Sequence, residues 1–124
     1  MDVRVLEDPA PPCAEMLAEA AAAGGDIALT GGSTPKRAYE RAAELEGNWS
    51  RTRLWWGDDR CVPPDDELSN YRLAKEALLD HLPPEGAPEV HRIPGEQIAF
   101  QVGHRSGKHS EVPIPRYQLE ILWW

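Results

Sequence analysis

The sequence predicts an α/β domain: a Rossmann-like parallel sheet with helices on both faces. Short apolar runs alternate with helix-forming stretches in the order β-α-β-α-β-α-β, which favours parallel strands joined by helical crossovers. Glycine, proline or polar turn residues close the apolar runs. A chain of 124 residues has room for one domain with a real core and is too short for two comfortable ones.

The elements follow in order. Val3-Arg4-Val5-Leu6 is the first expected strand, closed by Asp8-Pro9-Ala10-Pro11-Pro12. Cys13 to Ala23 is rich in strong helix formers and stops at Gly24-Gly25. Met16, Leu17 and Ala20, with Ala21 beside them, give it a shallow apolar face suited to lying close on a sheet. Ile27 to Thr30 is the second strand and runs into Gly31-Gly32. A helix is expected from Pro35 to about Glu46, with Ala38, Ala42 and Leu45 as its stripe and Tyr39 and Ala43 widening it. Ser33 and Thr34 are suitable caps, and Pro35 suits a first turn that needs no N–H.

Arg53-Leu54-Trp55-Trp56 is the third strand, expected to be buried on both faces because its apolar residues do not alternate. After the turn Val62-Pro63-Pro64-Asp65-Asp66, Ser69 caps a helix from Asn70 to about His81. Tyr71, Ala74, Leu78 and Leu82 share one face of it, and Pro83-Pro84 ends it. Glu89 to Ile93 is the fourth strand, stopping at Pro94-Gly95.

A net charge of −8 argues against nucleic acid as the main partner, because a phosphate backbone needs a basic face. A small phosphorylated ligand needs only a local cluster of donors. No apolar run approaches bilayer length, and Met1-Asp2-Val3-Arg4 begins no signal peptide. Cys13 and Cys61 fit no metal-ligand spacing, so reduced thiols in a cytoplasmic protein are the simplest expectation. The stretch 97–124 departs from the pattern. It carries Arg105, Lys108 and Arg116 against Glu111 and Glu120, so the acidic excess lies before it, and it ends on Trp123-Trp124.

Two polar clusters follow two apolar runs. Asp26 to Lys36 reads as strand, glycine turn and helix N-terminus, an arrangement that offers free backbone N–H groups to a phosphate. Gly31, Gly32, Ser33 and Thr34 are its candidate ligands, and Lys36 in the first helical turn adds charge. Arg37 reads as a solvated surface cation. Asp58-Asp59-Arg60 forms the second cluster. Adjacent carboxylates tend to point apart, so Asp58 and Arg60 are expected to share a direction, where they can orient hydroxyls or stabilise an oxyanion. In parallel sheets ligands sit beyond the carboxyl ends of the strands, which puts both clusters on one rim. Asn70 and Tyr71, at another helix start, are candidates for that rim, although Tyr71 also fits the core stripe. His81 and His91 stand apart from each other and read as structural.

Ala28-Leu29-Thr30-Gly31-Gly32-Ser33-Thr34-Pro35, Trp56-Gly57-Asp58-Asp59-Arg60-Cys61-Val62-Pro63, Ser69-Asn70-Tyr71 and His91-Arg92-Ile93-Pro94-Gly95-Glu96 occur in register. Together they resemble the 6-phosphogluconolactonases, part of a group that includes glucosamine-6-phosphate deaminases and sugar-phosphate isomerases. The resemblance covers residues 1–96 as the N-terminal part of such a domain and leaves 97–124 as a divergent tail. It implies a Rossmann-like fold, hydrolysis of 6-phosphogluconolactone to 6-phosphogluconate in the pentose phosphate pathway, and no metal or organic cofactor. Gly31, Gly32, Ser33 and Thr34 would line the sugar-phosphate site. Asp58 and Arg60 would face the sugar, Arg60 polarising the lactone carbonyl. Asp59 stands where the family usually has glutamate.

The family's Gly-Pro-Asp-Gly-His segment, whose histidine activates water, does not occur, and Gly103-His104 comes too early to replace it. The chain therefore reads as a truncated or frame-changed member with weak or absent activity. A sheet lacking its later strands would leave an apolar face open to self-association. A deaminase or isomerase, or a non-catalytic sugar-phosphate binding module, are the alternatives.

Overall fold

The computed structural model describes residues 3–45 and 47–97. Helix α1 (Ala10–Ala23) leads into β1 (Gly25–Leu29), α2 (Ser33–Glu44), β2 (Thr52–Trp56) and α3 (Asn70–Ala77). Two 3₁₀ turns, Leu79–His81 and Pro84–Gly86, precede β3 (Glu89–His91). The strands form a parallel sheet in the order β1-β2-β3, with Ile27 opposite Leu54 and Leu54 opposite Val90. The expected class, a Rossmann-like parallel sheet flanked by helices, is what forms. Within the helical layer α1 packs on α2 and α2 on α3.

Several element-level expectations are corrected. Val3 to Leu6 forms no strand; Val5 is 94% exposed and pairs with nothing in the sheet. Helix α1 starts earlier than expected, at Ala10, because Pro11 and Pro12 fit a first turn that has no N–H to satisfy. Its buried face is Ala10, Ala14 and Ala21, with Leu17 partly buried, while Met16 is exposed. Small side chains let this helix approach its neighbour closely. Helix α2 starts at Ser33, inside the pair expected to cap it, and Gly32 occupies the cap position.

Strand β2 alternates: Thr52, Leu54 and Trp56 are buried, Arg53 and Trp55 are exposed. The expectation of burial on both faces fails because Trp55, although apolar in type, faces outward. It donates from Nε1 to Asp26 Oδ1 (2.8 Å) and stacks on His91 with ring centroids 4.0 Å apart. Asp26 also receives Arg53 through two bonds of 2.8 and 2.7 Å, and Arg53, then Trp55, hold its carboxyl below the usual range. The inward set packs with Leu29, Tyr39, Ala42, Trp49 and Leu78. Each fully buried leucine there contributes about 1.5–3 kcal/mol. The tail 98–124, with His104 and Trp123-Trp124, lies outside the described residues.

Candidate functional site

The carboxyl ends of β1 and β2 lie side by side, because Gly57 N donates to Leu29 O at 3.0 Å and extends the ladder by one rung. Beyond that rung the two loops diverge. At the end of β1, the Tyr39 hydroxyl takes up both backbone groups of Thr30: it donates to Thr30 O (2.8 Å) and accepts from Thr30 N (2.9 Å). Burial pushes this hydroxyl above its ordinary pKa. Thr30 therefore leaves the sheet, and the chain turns through Gly32 at φ +114°, a conformation that side chains other than glycine's resist.

The N-terminus of α2 that follows is open. Among the described residues no side chain accepts from its first turn, and Ser33 and Thr34 are exposed. Helices α1 and α3 differ. Asp8 Oδ1 accepts from Ala10 N (3.1 Å) at the start of α1, and that amide, with the Arg37 guanidinium, lowers the Asp8 pKa. At the start of α3, Asp59 and Ser69 supply every acceptor. Asp59 Oδ1 takes Asn70 N (2.7 Å), Asp59 Oδ2 takes Tyr71 N (3.1 Å), and Ser69 Oγ takes Arg72 N (3.2 Å). A neutral cap contributes about 1 kcal/mol, whereas bonds to a charged group contribute about 1.5–3 kcal/mol each. Asp59 is thus the stronger anchor of α3. An uncapped helix start on a sheet rim is where an anion is most favoured.

Asn70 links the two loops. It is 6% exposed, and its Nδ2 donates to Asp58 O at 3.1 Å. Its Oδ1 presses on Gly31 so closely that a Cβ there would sit 2.0 Å away. Asp58 and Arg60 point outward together, Arg60 Nη1 lying 3.5 Å from Asp58 Oδ2 with both side chains more than half exposed. Such a pair is worth about 0–1 kcal/mol. Behind it, the Pro94-Gly95 turn rests on the Arg60 carbonyl. Arg92 holds Glu96 through bonds of 2.9 and 2.5 Å, bringing the Glu96 pKa down to about 2. The Arg92 guanidinium also lies 6.0 Å from the Tyr71 ring, which meets Trp56 edge-on.

The structure thus brings Gly31, Gly32, Ser33, Thr34, Asp58, Arg60 and Asn70 to one rim. Lys36 lies one turn along α2, 3.8 Å from Glu40 and about half exposed. Arg37 is the exposed surface cation expected, and it also reaches Asp8 at 2.6 Å. His81 contacts Glu76 O at 3.0 Å at the end of α3, and His91 lies under Trp55 on the outer sheet face. The role of Asp59 was missed. Its signal is the run Asp59…Ser69-Asn70, and the separation of ten residues hides it from any local capping rule. Among the described residues no cluster of histidine, cysteine, aspartate or glutamate is placed to hold a metal. No helix among them is long and apolar enough to cross a membrane.

A Rossmann-like sheet with its polar loops gathered at the strand carboxyl ends defines an α/β protein of the open-sheet class, in which ligands generally sit beyond those strand ends. The family model described as glucosamine-6-phosphate isomerases/6-phosphogluconolactonase matches residues 5–112, and the chain belongs to that family. A 6-phosphogluconolactonase of Haemophilus influenzae is 45% identical over 74 residues, covering 56% of this chain and 32% of that protein. One of Treponema pallidum is 36% identical over 94 residues, covering 73% and 38%. The chain therefore spans roughly a third of the length of these curated relatives. Among solved structures, a 6-phosphogluconolactonase from Trypanosoma cruzi superposes with a TM-score of 0.56 at 30% identity, covering 79% of this chain and 38% of that one. One from Thermotoga maritima gives 0.53 at 29%, covering 76% and 44%.

Proposed function

We propose that this chain carries the sugar-phosphate-binding part of a 6-phosphogluconolactonase site and that its own lactone hydrolysis is weak. The carrying observation is the contrast between helix starts: α1 and α3 are filled by Asp8 and Asp59, and α2 is open beside the Asp58–Arg60 pair. In this reading the Ser33 and Thr34 amides and hydroxyls take the phosphate, with Gly31 and Gly32 letting it approach the backbone and Lys36 adding charge. Asp58 orients the sugar hydroxyls. Arg60 stabilises the oxyanion that forms when water adds to the lactone carbonyl and that collapses, re-forming the carbonyl, as the ring oxygen leaves and takes up a proton. Asn70 shapes the site from behind.

Water addition also needs a general base within hydrogen-bond reach. His81 and His91 are engaged elsewhere, and the 124 residues hold no Gly-Pro-Asp-Gly-His segment. Binding is therefore better supported than turnover. The exposed free thiols of Cys13 and Cys61 fit a reducing compartment such as the cytosol.

The test is a thermal-shift and calorimetric titration with 6-phosphogluconate, alongside a lactone hydrolysis assay corrected for spontaneous opening. The expected result is protection by 6-phosphogluconate, loss of it in Ser33→Ala/Thr34→Ala, and turnover far below that of an ordinary enzyme. Absence of protection in the parent would sink the phosphate site. Protection by glucosamine 6-phosphate alone would favour the isomerase branch that the family description includes.

A further inference from the structure

Asp59 has no part in the proposed chemistry, yet its carboxylate is saturated. Oδ1 accepts from Arg60 N (2.8 Å) and Asn70 N (2.7 Å); Oδ2 accepts from Tyr71 N (3.1 Å) and Ser69 Oγ (3.2 Å). One carboxylate thus binds its own loop and the first turn of α3 at once. We propose that Asp59 is a positioning residue that holds Asn70 against Gly31 and so fixes the Asp58–Arg60 loop relative to the open end of α2. Its binding readout rests on the sugar-phosphate reading; its geometric readout does not.

Capping alone does not account for the arrangement. Ser69 Oγ already accepts from Arg72 N (3.2 Å), so α3 keeps a cap of its own. What Asp59 adds is direction. It aims the start of α3 so that the Asn70 side chain reaches both neighbouring loops, donating to Asp58 O (3.1 Å) and closing on Gly31. The contacts run from the β2 loop through α3 to the β1 loop, and Asp59 stands at their origin. An asparagine at this position has one acceptor oxygen in place of two and turns an NH₂ group toward existing donors, so it cannot keep all four bonds.

The experiment compares the parent chain with Asp59→Asn, Asn70→Ala and Thr52→Ala, the last removing a buried bond to Ala21 O (3.2 Å) at the opposite end of the sheet. Amide spectra are recorded without ligand, and 6-phosphogluconate is titrated well below each melting temperature. Asp59→Asn is expected to move the Gly31 and Gly32 amides and to weaken binding about tenfold or more, since small misplacements of a binding group are costly. Thr52→Ala is expected to melt earlier with those amides and the affinity unchanged. Should Asp59→Asn fail to fold, Asn70→Ala decides: it keeps the bonds from backbone to Asp59, and affinity equal to the parent's overturns the proposal. Gly31 and Gly32 amides unmoved in folded Asp59→Asn overturn it as well. If the parent binds no 6-phosphogluconate but the amides move, the sugar-phosphate reading falls and the positioning role stands.

Discussion

A methyl group on Gly31 would collide with Asn70 Oδ1, and Asn70 cannot swing away without giving up its bond to Asp58 O while buried. Gly31→Ala is therefore expected to destabilise the chain by about 1–3 kcal/mol, the usual cost of overpacking. Urea denaturation measures it. In a double-mutant cycle with Asn70→Ala the two costs are expected not to add, since removing the amide makes room for the methyl. Simple additivity would show that the collision is relieved elsewhere. At this scale the sequence is legible wherever a partner is local. Ser69 was readable as a cap because its donor lies three residues on. The clamp of Asp59 on α3 was not, since the loop geometry that brings it back to Asn70 leaves no periodic trace.

Among elements, the helix starts differ in capping, and the proposed function rests on that difference. An aspartate at Ser33 would place a carboxylate where the proposed ligand's phosphate goes. Ser33→Asp is expected to raise the stability of the ligand-free chain by about 0.3–1 kcal/mol through the helix dipole, and to abolish binding of 6-phosphogluconate. A stabilised variant that still binds would place the ligand elsewhere. The register of helices and strands was largely readable because glycines and prolines punctuate it. Boundaries shifted where a residue serves two readings: Ser33 and Thr34 suit a cap and a first turn equally, and the glycine before them settles it by taking a backbone angle they avoid. The Val3–Leu6 run shows the limit of β propensity, which yields no strand without a neighbour to pair with.

For the whole molecule, the parallel order was legible and the face assignment was not. Trp55 reads as core by type, yet Asp26 takes its indole N–H and His91 takes its ring face, so it stands 42% exposed. With Arg53 beside it, the outer sheet face is a strip of aromatic and charged groups. The self-association expected from the sequence assumed an open apolar face; the open face is instead this mixed strip, and the expectation is tested on it. Sedimentation velocity is expected to show concentration-dependent association that Trp55→Lys weakens; an ideal monomer at all concentrations would dismiss it.

The Tyr39 hydroxyl has a consequence for the cost of binding. By closing a ring from Thr30 to the second turn of α2, it fixes both ends of the glycine turn before any ligand arrives. A loop tied in this way has little freedom left to surrender. In the proposed reading, recognition at its tip is then a matter of exchanging water for an anion on a surface already in shape, with α2 and β1 staying where they are.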